Sequence, residues 1–405
     1  MWTRRRFLQT SLALGLGTMW PAAGGCSHQP SLQAIHDALD SLRNQRVTLP
    51  PLAGHREFRG VVHAHTGLSH DSTGTVEELL SAARSAKLDF LVTTDHYTPR
   101  IFTEGLQGSH GAVLVVRGVE VALGCTRQGG LLRRCASVLA IGLREPLKPR
   151  PDGQWDWDDL FRTIRGQGAL AVIAHPRGMM NSSYYRYADG MEIYDLADTM
   201  RERLVDVPRY LLDLALDRTE HREELFMQLV VERSNWNLVA WDRFLQTRRF
   251  VGLGGNDAHQ SLSVMGLHLD PYDLVFRAVN THVLAPSLSP KNLVEALRAG
   301  RCFTAFNLLA DGAGFQFVVR DGDGGSVVGL MGDEVPMEDG LVLVAQSPIP
   351  GVLELLRDGV PIRRLEGRNL RYAVDRPGVY RMEVSLQVVD RRRPWIFSNP
   401  IYVRA

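Results

Sequence analysis

Val61-Val62-His63-Ala64-His65 is an apolar run that ends in two imidazoles, and related endings recur along the chain. Residues 90–94 run into Asp95-His96, residues 115–119 into Glu120, and residues 172–174 into His175-Pro176. Met191 leads into Glu192, and residues 253–256 lead into Asp257-Ala258-His259. The apolar runs read as strands over 58–62, 90–93, 113–116, 137–142, 170–174, 191–194 and 250–254. Helical patterns over 75–86 and 157–167 lie between them. Near-continuous apolar strands alternating with helices indicate a parallel sheet or barrel buried on both faces. In such folds functional groups gather at the carboxyl ends of the strands. Here six strand ends carry metal-ligand residue types.

In an extended segment residues i and i+2 point to one side. His63 and His65 are therefore expected to converge on one ion, and so are Asp257 and His259. Imidazole and carboxylate suit zinc, manganese or iron. No close cysteine cluster exists, which excludes a structural thiolate zinc site. Burying His63, His65, His96, His175, Asp257 and His259 at one sheet edge is costly unless something pairs with them. His110, His221, His268 and His282 sit in no such pattern and read as hydrogen-bonded structural histidines.

The ordered motifs resemble one family. His63-Ala64-His65-Thr66, Ser69-His70-Asp71-Ser72, Thr94-Asp95-His96, Gly118-Val119-Glu120, Ala174-His175-Pro176 and Gly255-Asn256-Asp257-Ala258-His259 are similar to the PHP domain, named for polymerase and histidinol phosphatase. The resemblance covers roughly residues 58–310. It implies a distorted seven-stranded (β/α)7 barrel with two or three divalent metal ions (zinc, manganese or iron) at its mouth. The tail Pro394-Trp395-Ile396-Phe397-Ser398-Asn399-Pro400-Ile401-Tyr402-Val403 resembles the CehA/McbA branch, named after carbamate hydrolases, as does the stretch 293–303.

The resemblance implies that His63, His65, Glu120 and Asp257 hold one metal. Glu120 bridges to a second with His175. His96 and His259 hold a third, with His70 or Asp71, of which Asp71 has the commoner form. The pattern's further histidine, in the strand after the glutamate, is absent, and Ser137 stands in its place. The second metal is then left with Glu120 and His175 only.

A bound divalent metal lowers the pKa of water from 15.7 to about 7, which serves phosphoester and ester or carbamate hydrolysis alike. Asp257 and His259 are the candidate catalytic residues on the metals. Arg177, directly after His175-Pro176, is the candidate anion contact. Tyr97 is a candidate for the mouth. Glu192, Tyr194 and Asp195 are expected to hold a ligand histidine, and Asn256 to sit in a turn. The charges of residues 200–245 read as a solvated face.

The N-terminus reads as an address. Thr3-Arg4-Arg5-Arg6-Phe7-Leu8 precedes an apolar stretch too short to span a bilayer. Arg4 and Arg5 resemble a twin-arginine signal, and Ala23-Gly24-Gly25-Cys26 resembles a lipobox with lipidation at Cys26. Ordinary cleavage near Ala23 is the alternative. The whole chain has 46 basic and 45 acidic residues; removing residues 1–25 takes three arginines and leaves a formal −2. That balance argues against a nucleic-acid surface. Export would place the protein in the periplasm or on a membrane as a lipoprotein. There Cys125 and Cys135 could pair, or remain free thiols.

From about residue 329 the pattern turns short and β-rich, with strands over 341–345, 352–357, 361–364, 370–374, 378–388 and 396–404. Asp358-Gly359 is a hairpin signal and Pro377-Gly378 a second turn. This suggests a small Ig-like β-sandwich with Trp395 in its core. The expected divisions are a signal over 1–25, a linker and short helix over 26–57, the barrel over 58–325 and the sandwich over 326–405. The function expected is an exported metal-dependent hydrolase with a small-molecule ester or phosphoester substrate. The alternative is a metal-binding envelope lipoprotein that has lost turnover.

Overall fold

The computed structural model describes residues 30–127, 133–150, 155–178, 183–203, 206–216, 220–264 and 267–405. The expected signal, with Arg4, Arg5 and Cys26, lies outside the described residues. So do the side chains of Cys125 and Cys135, although the backbone register sets these two positions opposite each other.

In chain order the strands are β1 (Arg56–Ala64), β2 (Phe90–Thr93), β3 (Gly108–His110), β4 (Val113–Arg127), β5 (Arg133–Ile141), β6 (Leu170–Ala174), β7 (Gly190–Asp195) and β8 (Val251–Gly255). There follow β9 (Ser263–Val264), β10 (Leu267–His268), β11 (Val279–Ala285), β12 (Cys302–Phe306), β13 (Gln316–Asp321), β14 (Val327–Leu330) and β15 (Glu334–Pro336). The last are β16 (Leu341–Arg357), β17 (Val360–Ala373), β18 (Gly378–Val388), β19 (Arg391–Ser398) and β20 (Ile401–Arg404). The fold is mixed α/β, built on one large sheet.

The strands that carry the histidines and carboxylates form a run β1-β2-β4-β5-β6-β7-β8. β1–β2, β2–β4, β6–β7 and β7–β8 are parallel. β5 is antiparallel to both neighbours, unlike the parallel strand expected over 137–142. The cause is the short link 128–132: a parallel return needs a crossover of a dozen or more residues. Beyond β8 the chain bonds back to β1. Asn256 N donates to the Val62 carbonyl at 3.1 Å, and His65 N to the Ala258 carbonyl at 2.9 Å. The two ends of the run are thereby tied where the ligand-type residues emerge.

Alternate residues of these strands enter two different apolar clusters. Val61, Leu91, Val115 and Ile173 lie in one; Val62, Val92, Val116, Val172 and Leu253 lie in the other. That is why the strands read as continuous apolar runs. Leu293 and Leu297 of the helix Pro290–Ala299 join the second cluster. Ser289 caps this helix and Gly300, at φ 73°, ends it. The helix Val76–Ser85 starts with a capping box between Thr75 and Glu78, which pins the end of the loop that carries Asp71.

The C-terminal strands continue the same sheet. β12 pairs with β19, setting Phe303 opposite Ser398, and β19 pairs with β18. The expected pairs of short strands merge into the long β16 and β17, while the last expected strand divides into β19 and β20. A register shift between Gln346 and Gly351 breaks the apolar pattern of β16 without ending the strand. Asp358 and Gly359, at φ 54° and 78°, form the two-residue turn expected of Asp-Gly. Trp395 is fully buried, and its Nε1 donates to the Ala310 carbonyl at 2.8 Å.

Candidate metal centre

His63, His175 and Asp257 have positive φ values of 71°, 50° and 43°. Such conformations cost of order 1–3 kcal/mol each for non-glycine residues and persist where the surroundings impose them. All three residues stand at or just past a strand's carboxyl end. The register of β1 against β2 also shifts between Val62 and Ala64. His63 and His65 do converge, with ring centroids 5.1 Å apart. They do so through this kinked, left-handed residue, not through the regular pleat expected from the sequence. The same holds for Asp257 and His259.

Two carboxylates sit among the imidazoles. Glu120 Oε2 lies 3.4 Å from His63 Nε2, 3.2 Å from His65 Nε2 and 3.3 Å from His96 Nδ1. Asp257 Oδ1 lies 3.3 Å from His63 Nε2, His65 Nε2 and His259 Nδ1. Asp71 joins His96 and His259, its two oxygens each 3.3 Å from one of their Nε2 atoms. His175 Nε2 is more distant, 3.7 Å from Glu120 Oε1 and 3.6 Å from Asp257 Oδ2. His70 is exposed, with its ring 5.0 Å from that of His96.

Donor atoms about 2.1 Å from one ion at near-tetrahedral angles lie about 3.4 Å apart. The spacing around Glu120 and Asp257 has that value. Among the described residues, His65 Nε2, Glu120 Oε1, His259 Nε2 and both ring nitrogens of His175 are buried without a hydrogen-bond partner. Buried polar atoms of this kind are rare and costly. Four groups of these residues have ligand atoms within 4.8 Å of one another: His65-His96-His259, His63-His65-Glu120-Asp257, His63-His175-Asp195 and His70-Asp71-His96. The donors are imidazole and carboxylate only, and they fit divalent metal ions.

Charges in the cluster are interdependent. Burial pushes the Glu120 carboxyl up, but His96, His63 and His65 outweigh it and hold it well below the usual range. Burial is likewise outweighed at Asp257 by His259, His175 and His63. At His63, burial is overcome by Glu192, Asp257 and Glu120, and the imidazole is raised well above its ordinary value. At His175 burial is overcome by Asp198, Asp195 and Asp257, which raise it to about 10. His65 is lowered, by burial and by His259. Burial, aided by Glu192, Asp198 and Asp257 against His175, raises Asp195 well above the usual range.

Further residues hold the cluster in place. Glu192 Oε1 lies 2.7 Å from His63 Nδ1, and its Oε2 accepts the His175 amide at 3.1 Å. Asp95 is not in the cluster. It accepts from Thr66 N at 2.6 Å, Thr66 Oγ1 at 2.9 Å and Ser69 Oγ at 2.7 Å, and Ser69 Oγ lies 3.0 Å from His65 Nδ1. Asp195 caps the helix Leu196–Glu202 by accepting from Asp198 N. Asn256 is buried, and its Nδ2 bonds the Val275 and Val279 carbonyls at 3.0 and 3.1 Å, locking the end of β8.

Several expectations are redirected. Arg177 pairs with Glu202 and lies over Trp236, its guanidinium carbon 5.7 Å from the ring centroid. Among the described residues, the guanidinium of Arg201 reaches the cluster, with Nη2 3.6 Å from Asp257 Oδ2. It lies at the start of the charged segment read as a solvated face, and nothing in its local pattern marks it. Tyr97 donates its hydroxyl to the Leu147 carbonyl and packs edge-on against Trp155 at 5.1 Å. Ser137 is buried and registers opposite Ala174, the residue before His175. His282 binds Glu57 at 2.7 Å through Nδ1 and stacks on Phe303, as a structural histidine does.

No family model matches the chain, and no curated protein matches it. Two of the solved structures similar to it are these. One is a two-domain protein from Bacteroides vulgatus described as containing a predicted PHP-like metal-dependent phosphoesterase. It is 15% identical, covers 88% of this chain and 98% of its own length, and has a TM-score of 0.40. The other is a protein from Bifidobacterium adolescentis described as a metal-dependent phosphoesterase. It is 14% identical, covers 52% of this chain and 91% of its own, and has a TM-score of 0.30.

Proposed function

We propose that the chain is an exported metal-dependent hydrolase of phosphoesters or related esters, built on a distorted (β/α)7 barrel of PHP type with a β-sandwich-like C-terminal piece. One observation carries the hydrolase reading: oxygens of Glu120 and Asp257 each lie 3.2–3.4 Å from three imidazole nitrogens, in a cluster with buried, unsatisfied donor atoms. The return of the chain after β8 onto β1 supports the barrel.

His63, His65, Glu120 and Asp257 would hold one ion, and Asp71, His96 and His259 another. Glu120 Oε1 and His175 face the remaining side. Divalent ions bound there supply Lewis acidity and lower the pKa of a bound water. The protein's part is to fix the donors. Glu192 orients His63, Asp95 orients His65 through Ser69, and Asn256 fixes the strand end that presents Asp257. The antiparallel bond network leaves Ser137 beside His175 without adding a donor of metal-binding type.

The test is metal content per chain, by plasma mass spectrometry on protein purified without chelators, with hydrolysis of phosphate and carboxylate esters by the wild type and Asp257→Ala. Two or more equivalents, with turnover lost in the variant, are expected. One equivalent or fewer, not restored by reconstitution, would favour a metal-binding lipoprotein without turnover. Export through the twin-arginine machinery, with a lipid anchor at Cys26, is part of the proposal. A reporter fused to residues 1–26 tests it, and export that survives Arg4→Lys/Arg5→Lys would remove that part.

A further inference from the structure

We propose that a cavity at the amino ends of β7 and β8 is a second ligand site, which takes a small dianionic oxyanion and is separate from the metal centre. The cavity has a volume of about 180 Å³, larger than an engineered cavity of about 150 Å³ that holds benzene. It lies where Asp189 leads into β7 and Phe250 into β8, whereas the metal donors stand at or past the carboxyl ends of their strands. Tyr402 of β20 and Gly300, which ends the helix Pro290–Ala299, are also on its wall. The cavity therefore joins the C-terminal strands to the strands that carry the centre.

The wall carries three guanidinium groups, those of Arg248, Arg249 and Arg298, against one carboxylate, that of Asp189. Arg298 Nη1 is 3.9 Å from Asp189 Oδ2, which already accepts the Ala171 amide at 2.9 Å. Among the described residues Arg248 and Arg249 have carbonyl partners and no carboxylate partner. Arg248 donates to the carbonyls of Tyr185 and Arg186, and Arg249 Nη2 to that of Ala299 at 3.2 Å. A carbonyl accepts a hydrogen bond without cancelling the charge, so the wall keeps a formal surplus of two positive charges. A cation is favourable at a helix C-terminus. That accounts for one guanidinium at Ala299, not for three around one cavity.

Two further observations point to an anionic occupant. Burial pushes the Arg248 guanidinium below its ordinary value; Asp189 opposes this and Arg165 adds to it. An anion in the cavity would relieve both burdens. Tyr402 is 2% exposed, and its hydroxyl accepts the Phe250 amide at 3.2 Å and, among the described residues, donates to no acceptor. It has a proton to offer an oxygen of the ligand. Arg249 is exposed and commits only Nη2, which leaves Nε and Nη1 as charged donors. A phosphate group, at about −1.5 to −2 near pH 7, and a dicarboxylate both match the surplus charge.

The test is isothermal titration calorimetry of the full chain with inorganic phosphate, succinate and acetate at fixed ionic strength. Arg249→Met and Arg298→Met each remove one guanidinium from the wall, and Asp257→Ala disables the metal centre. Phosphate or succinate should bind the wild type, and the binding should survive in Asp257→Ala. In each methionine variant its Kd should rise on the order of 10- to 100-fold, the loss of a charge-assisted hydrogen bond. The urea midpoint of ligand-free Arg249→Met should stay that of the wild type. Phosphate alone binding assigns a phosphoryl ligand, succinate alone a dicarboxylate, and both together a site that reads only the double charge. Absence of binding by either overturns the proposal, as does an affinity unchanged in both methionine variants. Binding abolished by Asp257→Ala places the anion at the metal centre and overturns it too. Acetate binding as tightly as succinate removes the dianion. A urea midpoint of Arg249→Met that falls in step with affinity makes that guanidinium a helix cap and likewise overturns the site.

Discussion

Glu192 grips two candidate ligands at once: its Oε1 lies 2.7 Å from the Nδ1 of His63, and its Oε2 accepts the backbone amide of His175. The first contact turns the Nε2 of His63 towards Glu120 and Asp257. The second helps hold His175 in its left-handed conformation. Residues in this outer position change metal affinity by 10–100-fold when altered. Glu192→Gln should therefore weaken metal binding by about that factor, read by competition with a chromophoric chelator. Unchanged affinity would reduce Glu192 to a packing residue.

Gly255 shares this arrangement. A Cβ there would lie 2.0 Å from Glu192 Oε1 and 2.5 Å from its Cδ. The carboxylate end is pinned by His63 and cannot swing aside without releasing it. Gly255→Ala should lower metal content as Glu192→Gln does, although it removes no charged group. If Gly255→Ala binds metal like the wild type, Glu192 has a second workable position and its grip on His63 is not required.

The carboxyl-end placement of the donors was legible because apolar runs stop abruptly at His63, His96, Glu120, His175 and Asp257. Strands 90–93 and 170–174 match β2 and β6 to the residue, since both are buried on each face and no partner interrupts them. The direction of β5 was not legible. Apolar content is the same in a parallel and an antiparallel central strand, and only the length of the 128–132 link differs. The left-handed residues were hidden for another reason: His63, His175 and Asp257 are not glycines, and no composition rule marks a strained histidine. Arg201 was hidden because a charge in an amphipathic-looking segment reads as solvated until the neighbouring β7 places its helix. Asp95 sits at a strand end like a ligand, yet serves Thr66 and Ser69. Residue type alone does not separate a donor from its support.

Metal loading should release protons near neutral pH. In the metal-free protein burial lowers His175, but Asp198, Asp195 and Asp257 raise it to about 10, and His63 is raised as well. These raised values mean that the bound protons stabilise the metal-free fold below the ordinary histidine value. That stabilisation is lost as pH climbs through about 10. An entering ion must displace the same protons, so apparent affinity should increase with pH across this window. Calorimetry in buffers of different ionisation heat should show proton release that shrinks in His175→Gln. A binding heat that does not change with the buffer's ionisation heat would mean that these imidazoles are already neutral before metal arrives.

The stability of the C-terminal strands against the helix Asn235–Leu245 depends on a buried guanidinium. Arg381 of β18 has a side chain 1% exposed; its Nε and Nη2 reach the two oxygens of Asp242 at 2.7 and 2.8 Å. Its Nη1 donates to Glu383 at 2.7 Å, and Glu383 also pairs with Arg233 at 2.8 Å. Burial disfavours the charge, but Asp242 and Glu383 outweigh it and raise the guanidinium further. Asp242→Ala removes the bidentate partner and strands most of that charge, a loss of about 3 kcal/mol. Arg381→Met/Asp242→Leu removes the charge with its bidentate partner, while Glu383 keeps Arg233; it should recover much of the stability, because the desolvation cost of that pair disappears. Urea denaturation of the three proteins separates the cases. A double variant no more stable than Asp242→Ala would show that the helix is held to β18 by the ion pair itself, not by the packing of Trp241 and its neighbours around it.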